Sequence, residues 1–191
     1  MDAFLISVGI VALAEIGDKT QLLALILAAK FRKPWPIVAG ILAATLANHA
    51  FAGALGVWLQ SALGPMVMRW VLGLSFIGMA IWMLVPDRFE EGDAKLGRFG
   101  VFTTTLITFF LAEMGDKTQI ATIALAAQYH AFVPVVAGTT LGLLLANVPA
   151  VFFGDRMARR IPVRVVHGVA AVIFLVLGVA ALLGAADRFG F

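Results

Sequence analysis

One short charged stretch, residues 14–21, interrupts an otherwise apolar segment of the chain and occurs twice. It reads Ala-Glu-Ile-Gly-Asp-Lys-Thr-Gln, and its copy at 112–119 differs only in having Met in place of Ile. Charged side chains at bilayer depth cost several kcal/mol each, so they are rare there and usually functional. We therefore predict that the two copies are the two halves of one ion site.

The acidic residues of this doubled motif supply the predicted chemistry. On a continuous helix their spacing would put Glu15, Asp18 and Lys19 on one face. The two copies together carry a formal charge of −2, which one divalent cation or two protons would neutralise. Because burial and like charge both favour the protonated form, metal and protons would compete for the same oxygens. The predicted metal ligands are Glu15, Asp18, Glu113 and Asp116.

The ligand types indicate which metal ions would bind. Carboxylates with amide and hydroxyl oxygens suit the hard ions Mg²⁺, Ca²⁺ and Mn²⁺. Neither copy of the motif contains Cys or His, which argues against Zn²⁺, Cu⁺ and Ni²⁺. The lysines are expected to act as ion-pair partners, and for the two asparagines a helix–helix hydrogen bond is slightly favoured over a role as ligand. The predicted supporting residues are Lys19, Thr20, Gln21, Lys117, Thr118, Gln119, Asn48 and Asn147.

Other residues near the motif leave two interpretations open. Gly17 and Gly115 would either mark an unwound turn that exposes backbone carbonyls or let a neighbouring helix approach closely. His49 has no counterpart in the second copy, and we expect a buried histidine satisfied by a neighbour. Ser7 and Thr105 could line an access path, although hydroxyls in helices often bond back to their own backbone.

The composition indicates a membrane protein. Of the 191 residues, 62% are hydrophobic and 13% are charged, with a mean hydropathy of +1.01. We expect the first apolar run to be a membrane helix rather than a removable signal peptide, because Asp2 replaces a basic leader. The absence of Cys excludes disulfides and thiolate metal sites. The basic residues lie in short loops rather than in a cluster, so we predict no nucleic-acid partner.

Six apolar runs predict the fold class, an all-α membrane protein with six transmembrane helices as two inverted three-helix repeats. The runs are too long and too continuously apolar for barrel strands. The second half copies the first at an offset of 98 positions, as from Glu15 to Glu113. An odd number of helices in each repeat makes the two copies cross the membrane in opposite directions. The runs are 3–29, 35–59, 66–85, 99–127, 132–153 and 165–186.

The predicted organisation is one transmembrane domain with a short central loop. It consists of a first repeat at 1–89, a cytoplasmic loop at 90–98 and a second repeat at 99–191. The far side of the membrane would carry only Arg69 and Arg188. The predicted location of the protein is the cell inner membrane. The positive-inside rule then predicts that both termini lie outside the cytoplasm. The cytoplasmic basic residues would be Lys30, Arg32, Lys33, Arg88, Lys95, Arg98, Arg156, Arg159, Arg160 and Arg164.

The doubled Glu-x-Gly-Asp-Lys-Thr motif resembles uncharacterised protein family 0016, the Gdt family, over essentially the whole chain. This resemblance implies a manganese or calcium transporter coupled to protons, and the short central loop resembles bacterial members, which export manganese. It also implies that the four acidic residues bind the cation. The signature is completed by Lys19, Thr20, Lys117 and Thr118.

The function predicted from the sequence is therefore secondary transport: export of Mn²⁺, with Ca²⁺ as a further substrate, in exchange for protons. The predicted partners are divalent metal ions, protons and the lipid bilayer, with no cofactor and no enzymatic activity, and the sequence indicates no oligomeric state. A passive divalent-cation channel is the nearest alternative. An intramembrane aspartyl protease would use Asp18 and Asp116 as its catalytic pair. A purely structural role is disfavoured, because buried ion pairs rarely stabilise more than an apolar core.

Overall fold

The computed structural model describes residues 1–85, 100–154 and 162–184, and these ranges contain helices and no strands. The predicted loop at 90–98 lies outside the described residues, as do six of the ten predicted cytoplasmic basic positions, 88, 95, 98, 156, 159 and 160, and position 188 on the other side. The described helices are α1 (Asp2–Glu15), α2 (Lys19–Phe31), α3 (Pro34–Ala62), α4 (Pro65–Trp82), α5 (Val101–Glu113), α6 (Lys117–Tyr129), α7 (Phe132–Phe153) and α8 (Val163–Leu183).

Among the eight described helices, four are long and apolar enough to cross a bilayer by themselves. These are α3, α4, α7 and α8, with 29, 18, 22 and 21 residues. The other four have 13 or 14 residues each, fewer than the roughly 20 that a span requires. The expectation of an all-helical membrane protein is confirmed at this level.

Both runs that carry the charged motif are broken at the motif. Helix α1 ends at Glu15 and α2 begins at Lys19, and α5 and α6 are separated in the same way. Gly17 has a φ of +83° and Gly115 a φ of +78°, in the left-handed region that favours glycine. The prediction that Glu15 and Lys19 share a face of one helix was therefore wrong. The chain leaves helical geometry between them.

The first short helix lies along α7 and runs in the same direction. A Cβ atom added to Gly138 would lie 2.5 Å from the carbonyl oxygen of Phe4. One added to Gly142 would lie 2.6 Å from the carbonyl oxygen of Val8. Only glycine allows so close an approach of two helices, and this contact fixes the position of Glu15 at the end of α1.

The corresponding helix of the second half, α5, lies in the same way along α3. A Cβ atom on Gly40 would lie 2.9 Å from the carbonyl oxygen of Phe102. Further along both helices, the Asn48 side chain donates a hydrogen bond to the carbonyl oxygen of Phe110 at 3.0 Å. The contacts therefore follow the same order along both helices, so α3 and α5 run parallel. This places Glu113, at the end of α5, beside the middle of α3.

Helices α3 and α7, which occupy equivalent places in the two halves, run in opposite directions. The ring of Trp35, at the start of α3, lies 5.4 Å from that of Phe152, near the end of α7. Further along α3, a Cβ atom on Gly53 would lie 2.7 Å from the side chain of Val136, near the start of α7. Helices α3 and α7 are therefore antiparallel and lie between the two breaks.

Helices α4 and α8 form a second antiparallel pair. Arg69, near the start of α4, donates a hydrogen bond from Nε to the carbonyl oxygen of Leu182 at 2.6 Å, near the end of α8. About two turns further along α4, the ring of Phe76 stacks on that of Phe174 in α8, with 6.3 Å between the ring centroids. Their large apolar side chains form much of one buried cluster in the described part of the chain.

Candidate functional site

All four predicted acidic ligands lie at the two breaks and are buried. Glu15 and Glu113 are the last residues of α1 and α5, and Asp18 and Asp116 immediately precede α2 and α6. Their exposed fractions are between 0% and 3%. The amide of each Asp donates a hydrogen bond to the carbonyl oxygen of the preceding Glu at 3.1 Å, so the two breaks have the same local turn.

Carboxylates from both halves of the chain converge on one point. Glu15, Asp18 and Asp116 each offer an oxygen atom, and these three atoms lie within 4.8 Å of one another. Oxygen ligands bind Mg²⁺ and Ca²⁺ at roughly 2.0–2.6 Å, so a single ion can contact all three. The break makes this possible, because it turns Asp18 away from the helix that ends at Glu15.

Two ion pairs connect the halves across this point. Lys19 Nζ lies 3.8 Å from Asp116 Oδ1, and Lys117 Nζ lies 3.9 Å from Asp18 Oδ1. Each lysine therefore faces the aspartate of the other half rather than its own neighbour. The two ammonium groups offset part of the negative charge of the carboxylates and hold the two breaks against each other.

One oxygen of Glu15 is held by two donors. Thr20 Oγ1 donates to Oε2 at 2.6 Å, and Asn147 Nδ2 donates to the same oxygen at 3.3 Å. The other oxygen, Oε1, is buried and accepts no hydrogen bond from any described residue. The side-chain oxygen of Asn147 is likewise buried without a hydrogen bond there. This arrangement orients Glu15 while leaving one carboxylate oxygen and one amide oxygen available to a cation.

Glu113 has different surroundings from its counterpart. Within the described ranges neither of its oxygens accepts a hydrogen bond, so Thr118, which corresponds to Thr20, does not hold Glu113 as Thr20 holds Glu15. The nearest partner is His49, whose Nε2 lies 3.8 Å from Glu113 Oε2. The expectation of a histidine satisfied by a neighbour was wrong, because neither ring nitrogen makes a hydrogen bond with the described residues.

The two glutamines of the motif bond to the breaks rather than pointing at the carboxylates. The amide of Gly17 donates to Gln21 Oε1 at 3.1 Å, and the amide of Gly115 donates to Gln119 Oε1 at 2.7 Å. Gln21 also donates to the carbonyl oxygen of Ala146 at 2.9 Å. Each glutamine thus satisfies an amide that the interrupted helix leaves without a partner, which explains its place in both copies.

The remaining polar residues singled out from the sequence divide into two kinds. Asn48 bonds to Phe110 of a neighbouring helix and Thr105 bonds to Val101 of its own helix at 2.8 Å. These contacts match the structural interpretations of both residues. Ser7 is fully buried, and its hydroxyl makes no hydrogen bond within the part of the chain described.

Two residues of α8 cover the first break, and no sequence pattern indicated either of them. His167 Nε2 lies 2.8 Å from the carbonyl oxygen of Ile16. The side chain of Val163 is so close to Gly17 that an added Cβ atom would lie 2.4 Å from it. No motif spacing connects these positions, since α8 meets the break only in the folded protein.

The two glycines therefore differ in what a substitution would cost. Alanine at either position has to adopt a left-handed conformation, at about 1–3 kcal/mol. Gly17→Ala additionally forces Val163 to move, which costs roughly 1–3 kcal/mol more, whereas no atom lies within 4 Å of a Cβ added to Gly115. We expect a lower melting temperature for Gly17→Ala than for Gly115→Ala in detergent-solubilised protein. Equal melting temperatures would contradict the contact between α8 and the first break.

Comparison with known proteins identifies the family. Residues 3–91 and 101–188 match the family model described as "Divalent cation/proton antiporter GDT1". The chain belongs to the GDT1 family. This GDT1 chain is 51% identical to a Vibrio cholerae protein named "Putative manganese exporter", over 94% of its own length and 90% of the relative's. It is also 31% identical to the "GDT1-like protein 3" of rice (Oryza sativa), over 91% of its own length and 71% of the relative's.

The GDT1 relationship agrees with the resemblance drawn from the doubled motif, and the family model matches residues in both halves of the chain. The "GDT1-like protein 3" of Arabidopsis thaliana is 29% identical over 91% of this chain. No solved structure matches the chain. The family description names transport of divalent cations and protons and no catalytic activity, so it gives no support to the aspartyl protease alternative.

Proposed function

We propose that this GDT1 protein is a secondary transporter that exports Mn²⁺ in exchange for protons. The observation that carries the proposal is the cluster of Glu15, Asp18 and Asp116, three buried carboxylates from two halves of the chain within 4.8 Å of one another. Glu113, buried at the second break, completes the acidic set. Ca²⁺ would be a second substrate, because an all-carboxylate cluster suits it as well.

Charge balance supports exchange over simple binding. Four carboxylates and two ammonium groups leave an excess of two negative charges in a region from which water is excluded. A net charge in such a region is costly, so the site favours either one divalent cation or two protons. The two kinds of occupant exclude each other, because they use the same oxygens. Release of the metal on one side is thereby coupled to uptake of protons.

The proposed architecture has six spans in two inverted repeats. Helices α1 and α2 would together form one broken span, α5 and α6 another, and α3, α4, α7 and α8 the remaining four. The opposite directions of α3 and α7, and of α4 and α8, support the inversion. Broken spans with a site at the interface of the repeats are a recurrent transporter design. Lys30 in the last turn of α2, with Arg32 and Lys33 between α2 and α3, supports an inner-membrane location with both termini outside the cytoplasm.

Manganese is preferred to calcium as the principal substrate on the basis of the bacterial relative. The Vibrio cholerae protein bears the name of a manganese exporter and shares half of its residues with this chain. The carboxylate cluster by itself suits Mn²⁺, Ca²⁺ and Mg²⁺ alike.

A flux measurement tests the exchange. Purified protein is reconstituted into liposomes that contain a Mn²⁺-sensitive dye, and Mn²⁺ entry is followed with and without an outwardly directed proton gradient. We expect the gradient to accelerate Mn²⁺ entry and Mn²⁺ entry to move protons outwards. A flux of Mn²⁺ that ignores the proton gradient would instead establish the channel alternative.

A further inference from the structure

We propose that His49 is a ligand of the transported cation and that its ring nitrogen makes the site prefer Mn²⁺ to Ca²⁺. The inference rests on the proposed function and adds to it a residue that sets specificity. His49 lies in the middle of α3, outside both copies of the charged motif.

The first observation is that His49 is fully buried and lacks a hydrogen bond. Its exposed fraction is 0%, and neither Nδ1 nor Nε2 bonds to any residue that the structure describes. Buried polar groups almost always have such partners, so each exception calls for a missing ligand, ion or water. A cation in contact with Nε2 would satisfy the ring.

The second observation is the distance of His49 from Glu113, the fourth predicted carboxylate, which lies beside the second break and outside the cluster of three. Its Nε2 lies 3.8 Å from Glu113 Oε2, too far apart for a hydrogen bond between the two. Divalent metals bind nitrogen and oxygen ligands at roughly 2.0–2.2 Å, so two ligands of one ion can be as much as about twice that far apart. The separation therefore fits a pair of atoms that flank one cation.

The third observation is the difference between the two halves. When the two halves of the sequence are aligned at Asn48 and Asn147, His49 corresponds to Val148. In the same alignment Thr45, one turn earlier, corresponds to Leu144. The duplicated architecture therefore needs no histidine at this position, since an apolar residue occupies it in the other half. Glu15 accepts hydrogen bonds from Thr20 and Asn147, whereas Glu113 faces His49 instead.

The chemistry of the ring gives the direction of the preference. Ca²⁺ and Mg²⁺ take oxygen ligands; Mn²⁺ also suits carboxylates, but as the first member of the Irving–Williams order it accepts a nitrogen ligand that these two ions do not use. A single nitrogen among several carboxylates would therefore favour Mn²⁺ over Ca²⁺. The binding remains weak enough for release, because the other ligands are hard oxygens.

Pulsed electron paramagnetic resonance of Mn²⁺ bound to the purified full-length protein tests the contact directly. A coordinated imidazole modulates the Mn²⁺ spin echo at nitrogen frequencies, and labelling the protein with ¹⁵N-histidine shifts these frequencies. We expect the modulation in the wild type, its loss in His49→Gln and its retention in the control His130→Asn, which changes an exposed histidine. Because the label reports on all three histidines, His167→Gln, which changes the histidine beside the first break, separates His167 from His49 even where His49→Gln fails to fold, and it should keep the modulation.

Competition between ions tests the preference. We expect His49→Gln to lower the ratio of Ca²⁺ to Mn²⁺ dissociation constants at least about tenfold, because even residues behind the direct ligands alter metal affinity by 10–100-fold. His130→Asn should leave the ratio unchanged. Mn²⁺ bound by the wild type without nitrogen modulation would overturn the role of His49 and leave the proposed function intact. A wild type that neither binds nor transports Mn²⁺ would overturn both.

Discussion

Glu15→Gln is expected to abolish Mn²⁺ transport, and Glu113→Gln should be equally severe. Each substitution keeps the size of the side chain but removes a negative charge and a ligand oxygen from the buried site. We expect transport to fall at least about a hundredfold in each variant, since changes behind the direct ligands already cost roughly 10–100-fold. Mn²⁺ flux into proteoliposomes, normalised to the amount of reconstituted protein, measures the effect.

The matched control for these variants is Asp2→Asn. Asp2 is an exposed carboxylate at the beginning of α1, on the same helix as Glu15, so the control removes the same charge far from the break. Its flux should equal that of the wild type. A severe loss at Glu15 with a mild one at Glu113 would contradict a single shared site and would favour two separate sites.

Lys117→Met is expected to destabilise the protein far more than Lys19→Met does. The Lys117 side chain is 3% exposed and faces Asp18 at 3.9 Å, whereas the Lys19 side chain is 25% exposed and faces Asp116 at 3.8 Å. Removing one member of a buried pair costs about 3–5 kcal/mol, because the other charge stays buried with less compensation. Partly exposed pairs are screened by solvent and contribute less. Melting temperatures of the metal-free protein in detergent would show the difference.

The double variant Asp18→Asn/Lys117→Met tests whether this loss comes from the ion pair. Removing both charges together should restore part of the melting temperature lost in Lys117→Met, since residues in direct contact are not independent. Lys19→Met combined with Asp18→Asn changes residues of two different pairs and serves as the comparison. Losses that simply add in both combinations would show that Lys117 does not compensate Asp18.

The acidic residues of the site could be predicted from the sequence, because charge and repetition alone mark them. Two charged stretches that differ at one position pointed to Glu15, Asp18, Glu113 and Asp116, and the structure brings three of these, Glu15, Asp18 and Asp116, within 4.8 Å of one another. The break itself could not be predicted. The spacing of Glu15 and Lys19 fits a continuous helix, and glycine is compatible with both a close helix contact and an unwound turn. The positive φ of Gly17 and Gly115 decides between them.

The surroundings of the site were less predictable than its ligands. Which helix approaches each break is a tertiary property, so His167 and Val163 carried no local signal. His49 was visible as a residue without a counterpart in the other half, but the pattern gave no reason to place it beside Glu113 rather than beside some other polar group. The sequence pattern shows which side chains are unusual, whereas tertiary packing determines which residues they contact.

The crossed pairing of lysines and aspartates has a consequence for how the chain is made. Lys19 and Asp18 emerge from the ribosome early, but Asp116 and Lys117, the residues that face them, follow only after roughly half of the polypeptide has been synthesised. The amino-terminal half therefore enters the lipid before the residues that form ion pairs with its polar groups have been synthesised. A translocon or chaperone has to shelter these groups during biogenesis, or they must wait near the water interface until the second half arrives.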